Sequence, residues 1–271
     1  MFTKLLKHEW RATRGMLGTL CLICLAASLL GGGTMRHLLW TSTAQTASHE
    51  AIEVLNVLAM VAAMIVVAVA GVAGLFLYIG RFYKSRFTDE GYLTFTLPVN
   101  THQNLLSSMI NSAIGMVIVF FVICAALVLW LMIGFTGIPD FYKTVWEKLP
   151  ELWEEFLRVC DQMPWKYVGL FLLNVLTGSV CELVLLMLSV TIGSIIAKKH
   201  KILAAVGVYY GIKVAISMVT SFAMTVQVVS GGEIVNAVLR FFSGTAALMV
   251  LVSVVGYFAM YWLIDRKLNL N

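Results

Sequence analysis

Six long apolar stretches constrain the fold of this chain more than any other feature of its sequence. The hydrocarbon core of a bilayer is about 30 Å thick, so a helix that crosses it needs about 20 largely apolar residues. The stretches that approach or exceed this length are Met16–Gly33, Leu55–Ile79, Ser108–Gly134, Leu170–Ile195, Leu203–Val228 and Phe241–Ile264. They predict an all-α integral membrane protein with six transmembrane helices, a multi-pass protein of the membrane.

The composition supports a membrane protein. Of the 271 residues, 60% are hydrophobic and only 12% are charged, whereas an average soluble domain has about 45–50% and 25%. The net charge of +5 is small and dispersed among apolar runs, which argues against a nucleic-acid-binding surface. Because the connecting segments are too short for a soluble domain, we expect residues 1–271 to form a single transmembrane domain.

The distribution of Lys and Arg predicts the orientation of the spans. With the N-terminus inside, twelve of the nineteen Lys and Arg residues flank the spans on the inner side, six lie on the outer side and Lys213 lies within a span. Cytoplasmic segments carry such an excess of basic residues. We therefore expect both termini to be cytoplasmic.

The N-terminal residues 1–14 have an amphipathic pattern. At helical spacing, one side carries Phe2, Leu5, Leu6, Trp10 and Thr13, and the other carries Lys4, Lys7, His8 and Arg11. This pattern predicts a helix that lies at the cytoplasmic membrane interface. The alternative is that these residues are only a charged region preceding the first span.

The outer segment 139–166, between the third and fourth spans, is also amphipathic. Its apolar residues recur at helical spacing and are separated by charged ones; they are Tyr142, Val145, Trp146, Leu149, Leu152, Trp153, Phe156 and Leu157. We expect an extracellular amphipathic helix, or a helix pair interrupted or restarted at Pro150. Its apolar face either lies on the membrane surface or caps the spans from outside. A role in substrate handling and a purely structural role both remain open.

Two charged residues lie inside predicted spans, where charges are costly and often functional. Glu182 is in the fourth span and Lys213 is in the fifth, and the two spans are joined by the short basic turn 198–201. Counted from that turn, their depths differ by about 4–5 Å at 1.5 Å per residue. They form a candidate intramembrane polar pair that either fixes the two helices in register or lines a transport path; alternatively, they face different cavities.

Groups for catalysis are not found in the sequence. The chain has no G-x-x-x-x-G-K-[ST] phosphate-binding loop, and the His49-Glu50 dipeptide lacks the second histidine of a zinc-protease motif. No pair of histidines is expected on a common helix face. We therefore predict that the chain is not an enzyme, with no catalytic residues, no metal site and no cofactor of its own.

The cytoplasmic segment 81–103 between the second and third spans is unusually aromatic for a solvated linker. Its apolar side chains would expose a sizeable surface unless a partner covered them. Thr88 can cap a short helix, whereas Leu93, Phe95 and Leu97 alternate with threonines as in a strand. Periodicity alone does not decide between the two.

The run FYKSRFTDEGYLTFTLPV, from Phe82 to Val99, resembles the cytoplasmic loop of bacterial ABC exporter permeases of the type 2 superfamily. The similarity extends to the six spans, the cytoplasmic termini and the amphipathic N-terminus. In that family this loop forms a coupling helix that docks on a separate ATPase subunit. The resemblance assigns ATPase coupling to Phe87, Asp89, Glu90, Gly91, Tyr92, Leu93, Phe95 and Leu97. We call residues 81–103 the coupling segment, and we expect its basic residues Arg81, Lys84 and Arg86 to lie at the lipid headgroups.

The resemblance implies a permease subunit of an ATP-driven exporter in the bacterial plasma membrane. The permease would act in a homo- or heterodimer with two ATPase subunits, which would bind the ATP and Mg²⁺. Two other classes remain possible: a secondary transporter that uses Glu182 and Lys213 for ion coupling, and a non-transporting membrane scaffold or signalling partner. No feature of the sequence identifies the substrate.

Overall fold

The computed structural model describes residues 2–44, 50–88, 100–162, 165–197, 199–229 and 234–267. Every regular element in these ranges is an α-helix. The seven helices are α1 (Phe2–Ala44), α2 (Glu50–Phe87), α3 (Thr101–Phe135), α4 (Phe141–Gln162), α5 (Trp165–Ile196), α6 (Lys201–Val229) and α7 (Ile234–Lys267). All but α4 are long and apolar enough to cross a membrane. For the described residues, the predictions of all-α structure and of six candidate spans are confirmed.

The helices extend well beyond the apolar stretches that predict them. Helix α1 has 43 residues, and residues 2–14 are its first turns rather than a separate element. The first proline of the sequence is Pro98, so nothing in residues 2–44 removes a helical hydrogen bond at the predicted boundary. Helix α2 likewise continues past Ile79 to Phe87, which makes the first part of the coupling segment helical.

Helix α4 is one continuous helix that contains Pro150, so the interrupted helix pair is not observed. It begins after Asp140, whose φ of 55° lies in the left-handed region that Asp tolerates better than most residues. The Asp140 carbonyl oxygen accepts hydrogen bonds from the Thr144 amide at 2.9 Å and from the Thr144 hydroxyl at 3.0 Å. These contacts lie in the first turn of α4.

The chain forms two compact units. One comprises residues 1–9, 79–113 and 162–271, and the other comprises residues 10–78 and 114–161. Helices α1, α2 and α3 each contribute residues to both units. The predicted single domain of residues 1–271 stays a prediction.

The core of the first unit is built from five helices. Its buried residues are Phe82, Leu105, Met187, Leu188, Val190, Ala205, Met260 and Ile264. Close approach of α5 and α6 depends on Gly193, because a Cβ atom at that position would lie only 2.6 Å from the Cα of Ala205. Small residues at such contacts are a common way for membrane helices to pack.

The main core of the second unit is built from small side chains around one tryptophan. Its buried residues are Cys24, Ala27, Ala63, Val67, Ala70, Ala126 and Trp130. A Cβ atom at Gly31 would clash with the Trp130 ring, and one at Gly32 would lie 3.0 Å from the Trp130 carbonyl oxygen. The two glycines therefore let α1 approach α3.

The tight contact at Gly193 generates a prediction about stability. We expect Gly193→Ala to destabilise the protein by about 1–3 kcal/mol, since overpacking forces a rigid backbone to shift. Thermal unfolding of the purified protein in detergent measures this loss. Gly207→Ala is the matched control, because nothing lies within 4 Å of a Cβ atom there. Equal melting temperatures for the two variants would contradict the prediction.

Candidate functional site

A buried arginine lies at the end of α2, at the base of the coupling segment. Arg86 is only 1% exposed, and its guanidinium lies over the Phe82 ring, 4.5 Å from the ring centroid. A guanidinium removed from water needs hydrogen-bond acceptors and a counter-charge to offset its desolvation. The surroundings of Arg86 supply both.

The acceptors come mainly from the first turns of α3. Arg86 Nη2 lies 2.8 Å from the Asn104 carbonyl oxygen, 3.0 Å from Asn104 Oδ1 and 2.9 Å from Ser108 Oγ. Arg86 Nη1 donates to Ser85 Oγ at 3.1 Å. One side chain therefore joins the last turn of α2 to the first turns of α3.

The counter-charge comes from α1. Glu9 is 4% exposed; its Oε2 lies 3.5 Å from Arg81 Nε, and its Oε1 accepts a long hydrogen bond of 3.5 Å from Ser108 Oγ. Arg86 reaches this carboxylate through Ser108. We call Glu9, Arg81, Ser85, Arg86, Asn104 and Ser108 the Arg86 network.

The position of Arg86 differs from its expected place at the lipid headgroups. It is buried because Asn104 and Ser108 offer their oxygens on one face of α3, four residues apart and therefore on successive turns. Lys84, two residues earlier, is exposed. Headgroup contact remains a prediction for Lys84.

The residues to which the resemblance assigns ATPase coupling lie mostly outside the described part of the chain. Asp89, Glu90, Gly91, Tyr92, Leu93, Phe95 and Leu97 are in this group. Phe87 is described: it is partly buried, stacks on Tyr83 at 6.0 Å between ring centroids and meets the Phe82 ring edge-on at 6.2 Å. Phe87 thus packs back onto the core of its unit.

The start of α3 is also held against α7. The His102 ring stacks on the Tyr261 ring at 3.7 Å between centroids, and His102 Nδ1 lies 3.1 Å from the Tyr257 hydroxyl. The Thr101 hydroxyl donates to Asp265 Oδ1 at 3.5 Å. Both flanks of residues 89–99 are therefore fixed to neighbouring helices of the same unit.

Glu182 and Lys213 form an ion pair between α5 and α6. Lys213 Nζ lies 2.7 Å from Glu182 Oε2, and the Tyr209 hydroxyl donates to Glu182 Oε1. The similar depths expected for the two charges allow this contact. The side chains of Lys213 and Glu182 remain 43% and 33% exposed, so the pair lies at the surface of the helix hairpin.

Several residues of the Arg86 network are not found by sequence reasoning. Glu9 is the only Asp or Glu among residues 1–49, and a lone acid in a basic amphipathic segment is a usable signal. The second signal is a polar stripe at helical spacing on α3, comprising Asn104, Ser107, Ser108 and Asn111, all of which are buried. Both signals indicate a buried cationic partner, but neither identifies which residue it is.

Comparison of the chain with protein-family models, with curated proteins and with solved structures finds no match. The function of the chain is therefore inferred from its own residues and from the resemblance of residues 82–99.

The Arg86 network generates a prediction about folding. Arg86→Ala leaves the buried oxygens Asn104 Oδ1 and Ser108 Oγ without the donor that Arg86 supplies, so we expect a loss of about 3–5 kcal/mol in unfolding free energy. Thermal unfolding in detergent measures it. Lys84→Ala removes the same charge from an exposed position in the same helical turn and should change stability by no more than about 0.5 kcal/mol. Similar losses for both variants would count against the network.

The ion pair generates a second prediction, tested by a double-mutant cycle. Glu182→Gln and Lys213→Gln should each destabilise the protein, because each leaves the other charge alone among apolar helices. The double variant should lose less than the sum of the two, with a coupling energy of about 0.5–3 kcal/mol. Unfolding of the four proteins in one detergent measures the cycle. Additive losses would show that the two charges do not interact energetically.

Proposed function

We propose that this chain is the transmembrane permease subunit of an ATP-driven ABC exporter. It couples a separate ATPase subunit to the movement of a substrate across the bilayer. ATP and Mg²⁺ bind to two copies of that ATPase, and the permease acts together with a second permease chain, identical or related. The chain itself performs no catalysis.

Two features support the proposal independently of each other. The first is the run Phe82–Val99, whose aromatic and acidic residues resemble the ATPase-docking loop of type 2 exporter permeases. The second is the set of six helices that are long and apolar enough to cross a membrane. Neither feature alone selects a transporter over a membrane scaffold.

The observation that carries the proposal is the way in which the Arg86 network holds the base of the coupling segment. A loop that transmits force must be fixed at both ends, since a loosely attached loop would absorb the movement of its partner. Arg86 joins the two flanks of residues 89–99 by hydrogen bonds of 2.8–3.0 Å. Ser108 extends the connection to Glu9 on α1. A push on the coupling segment therefore reaches the ends of three helices together.

The proposal includes an orientation. Twelve basic residues flank the spans on the proposed inner side and six on the outer side, which supports a cytoplasmic position for both termini and for the coupling segment. The first turns of α1 then lie at the cytoplasmic interface, and α4 lies outside. The membrane is the plasma membrane of a bacterium.

The mechanism follows from this arrangement. ATP-driven closure of the two ATPase subunits moves the docked coupling segments toward each other. Because α1, α2 and α3 are linked at Glu9, Arg86 and Asn104, these helices tilt together instead of separating. The spans then alternate between inward-facing and outward-facing states. The Glu182–Lys213 pair holds α5 and α6 in register during this movement.

Co-purification tests the proposal. The tagged chain, extracted from its native cells in a mild detergent, should bring down a protein that carries a phosphate-binding loop and hydrolyses ATP. We expect Tyr92→Ala to release this ATPase, because it removes an aromatic contact from the docking surface. Tyr210→Ala is the matched control, since Tyr210 is 63% exposed and lies within the candidate span formed by α6.

The outcomes separate the classes of protein. An ATPase lost with Tyr92→Ala and retained with Tyr210→Ala supports the exporter permease. A chain that purifies alone, or with a partner lacking a nucleotide site, contradicts it. In that case, ion-driven uptake into liposomes that is lost with Glu182→Gln would identify a secondary transporter. A lack of any such uptake would identify a scaffold.

A further inference from the structure

Helix α4 has an apolar face and, opposite to it, a charged face, and both run the whole length of the helix. At 100° per residue, one half of its circumference holds Tyr142, Val145, Trp146, Leu149, Leu152, Trp153, Phe156, Leu157 and Cys160. The opposite half holds Lys143, Glu147, Lys148, Glu151, Glu154, Glu155, Arg158 and Asp161. A helix with such a distribution needs an apolar surface against its apolar half.

No part of the described chain covers this apolar half. Trp146 is 74% exposed and Trp153 is 60% exposed. Leu152 and Phe156, one turn apart, are also more than half exposed. Among the described residues, these apolar side chains are left exposed.

The start of α4 is fixed to the end of a candidate membrane span. The Phe141 ring stacks on the Phe135 ring of α3 with 4.5 Å between centroids and 17° between planes. The Tyr142 hydroxyl donates to the Met132 carbonyl oxygen. Helix α4 thus begins beside the end of a candidate membrane span.

The end of α4 is tied to the next candidate span by a short connection. Only two residues separate Gln162 from Trp165 at the start of α5, which limits the gap to about 11 Å at 3.8 Å per Cα step. Helix α4 is about 33 Å long at 1.5 Å per residue. Both ends of α4 are therefore tied by short connections to candidate spans, which favours a helix that lies along the membrane surface over one that projects from it.

We propose that α4 lies flat in the membrane interface, with its apolar half immersed at the boundary between lipid headgroups and acyl chains. Its tryptophans and tyrosine are the side chains that favour this depth. Five acidic and three basic residues give the helix a net charge of −2, so it binds through apolar contact rather than through attraction to anionic headgroups. The proposal does not depend on the proposed function of the chain.

Spin labelling of the full chain in phosphatidylcholine liposomes tests this placement. Single cysteines replace residues on opposite sides of α4: Leu149→Cys with Arg158→Cys, and Trp153→Cys with Glu151→Cys. The native Cys21, Cys124 and Cys160 are changed to Ser, whereas Cys24 and Cys181 are buried and stay. Oxygen, which partitions into lipid, and a water-soluble nickel complex are the two relaxing agents.

The expected result is a difference between the two sides of the helix. The ratio of oxygen accessibility to nickel accessibility should be severalfold higher at 149 and 153 than at 151 and 158. The ratios should not change when a third of the lipid is replaced by phosphatidylglycerol. Size-exclusion chromatography of each labelled variant before reconstitution confirms that it is folded.

Three outcomes would overturn the proposal. Equal ratios on both sides would place α4 in water. Labels at 149 and 153 that are shielded from both agents and broadened by spin–spin coupling would identify a second copy of the chain as the partner. Shielding without broadening would place this half against another part of the protein.

Discussion

A buried guanidinium fixes where the ends of three helices must meet. Arg86 cannot leave water unless oxygens replace its hydration, and the nearest oxygens belong to Asn104 and Ser108. Its electrostatic counterpart, Glu9, is 77 residues away in sequence and is brought near through Ser108 and Arg81. These requirements are directional, unlike apolar packing, so they specify the register of α1, α2 and α3 in this unit. The positions of the two helix ends that flank residues 89–99 depend on them.

The two charged sites differ in what surrounds them. The Arg86 network is closed apart from Arg81, whose side chain is 22% exposed, whereas the Glu182–Lys213 pair keeps a third or more of each side chain exposed. A closed site loses specificity as well as stability when one partner is removed, because every remaining group was placed by the others. The exposed pair joins only α5 and α6, with Tyr209 as an added donor. The Arg86 network therefore connects α1, α2 and α3, whereas the Glu182–Lys213 pair connects only α5 and α6.

Sequence reasoning predicted the six spans well because length and apolarity are properties of each helix alone. The contact between Glu182 and Lys213 was also accessible, since a tight turn converts sequence position into depth. The burial of Arg86 could not be predicted, because its partners lie mostly on other helices and no local sequence pattern identifies them. The continuity of α1 was missed for a different reason: an amphipathic first segment and an apolar second one suggest two elements, although no proline separates them. The coupling residues from Asp89 to Leu97 remain known by resemblance only.

The two-sided character of α4 has a mechanical consequence. A helix about 33 Å long that occupies one leaflet displaces lipid there and not in the opposite leaflet. In the proposed placement, α4 adds to the area that the protein occupies in that leaflet. Its conformational equilibrium becomes sensitive to the lateral pressure in that leaflet, and therefore to any amphiphile that accumulates there. Through the stacked rings of Phe135 and Phe141, such crowding acts directly on the end of α3.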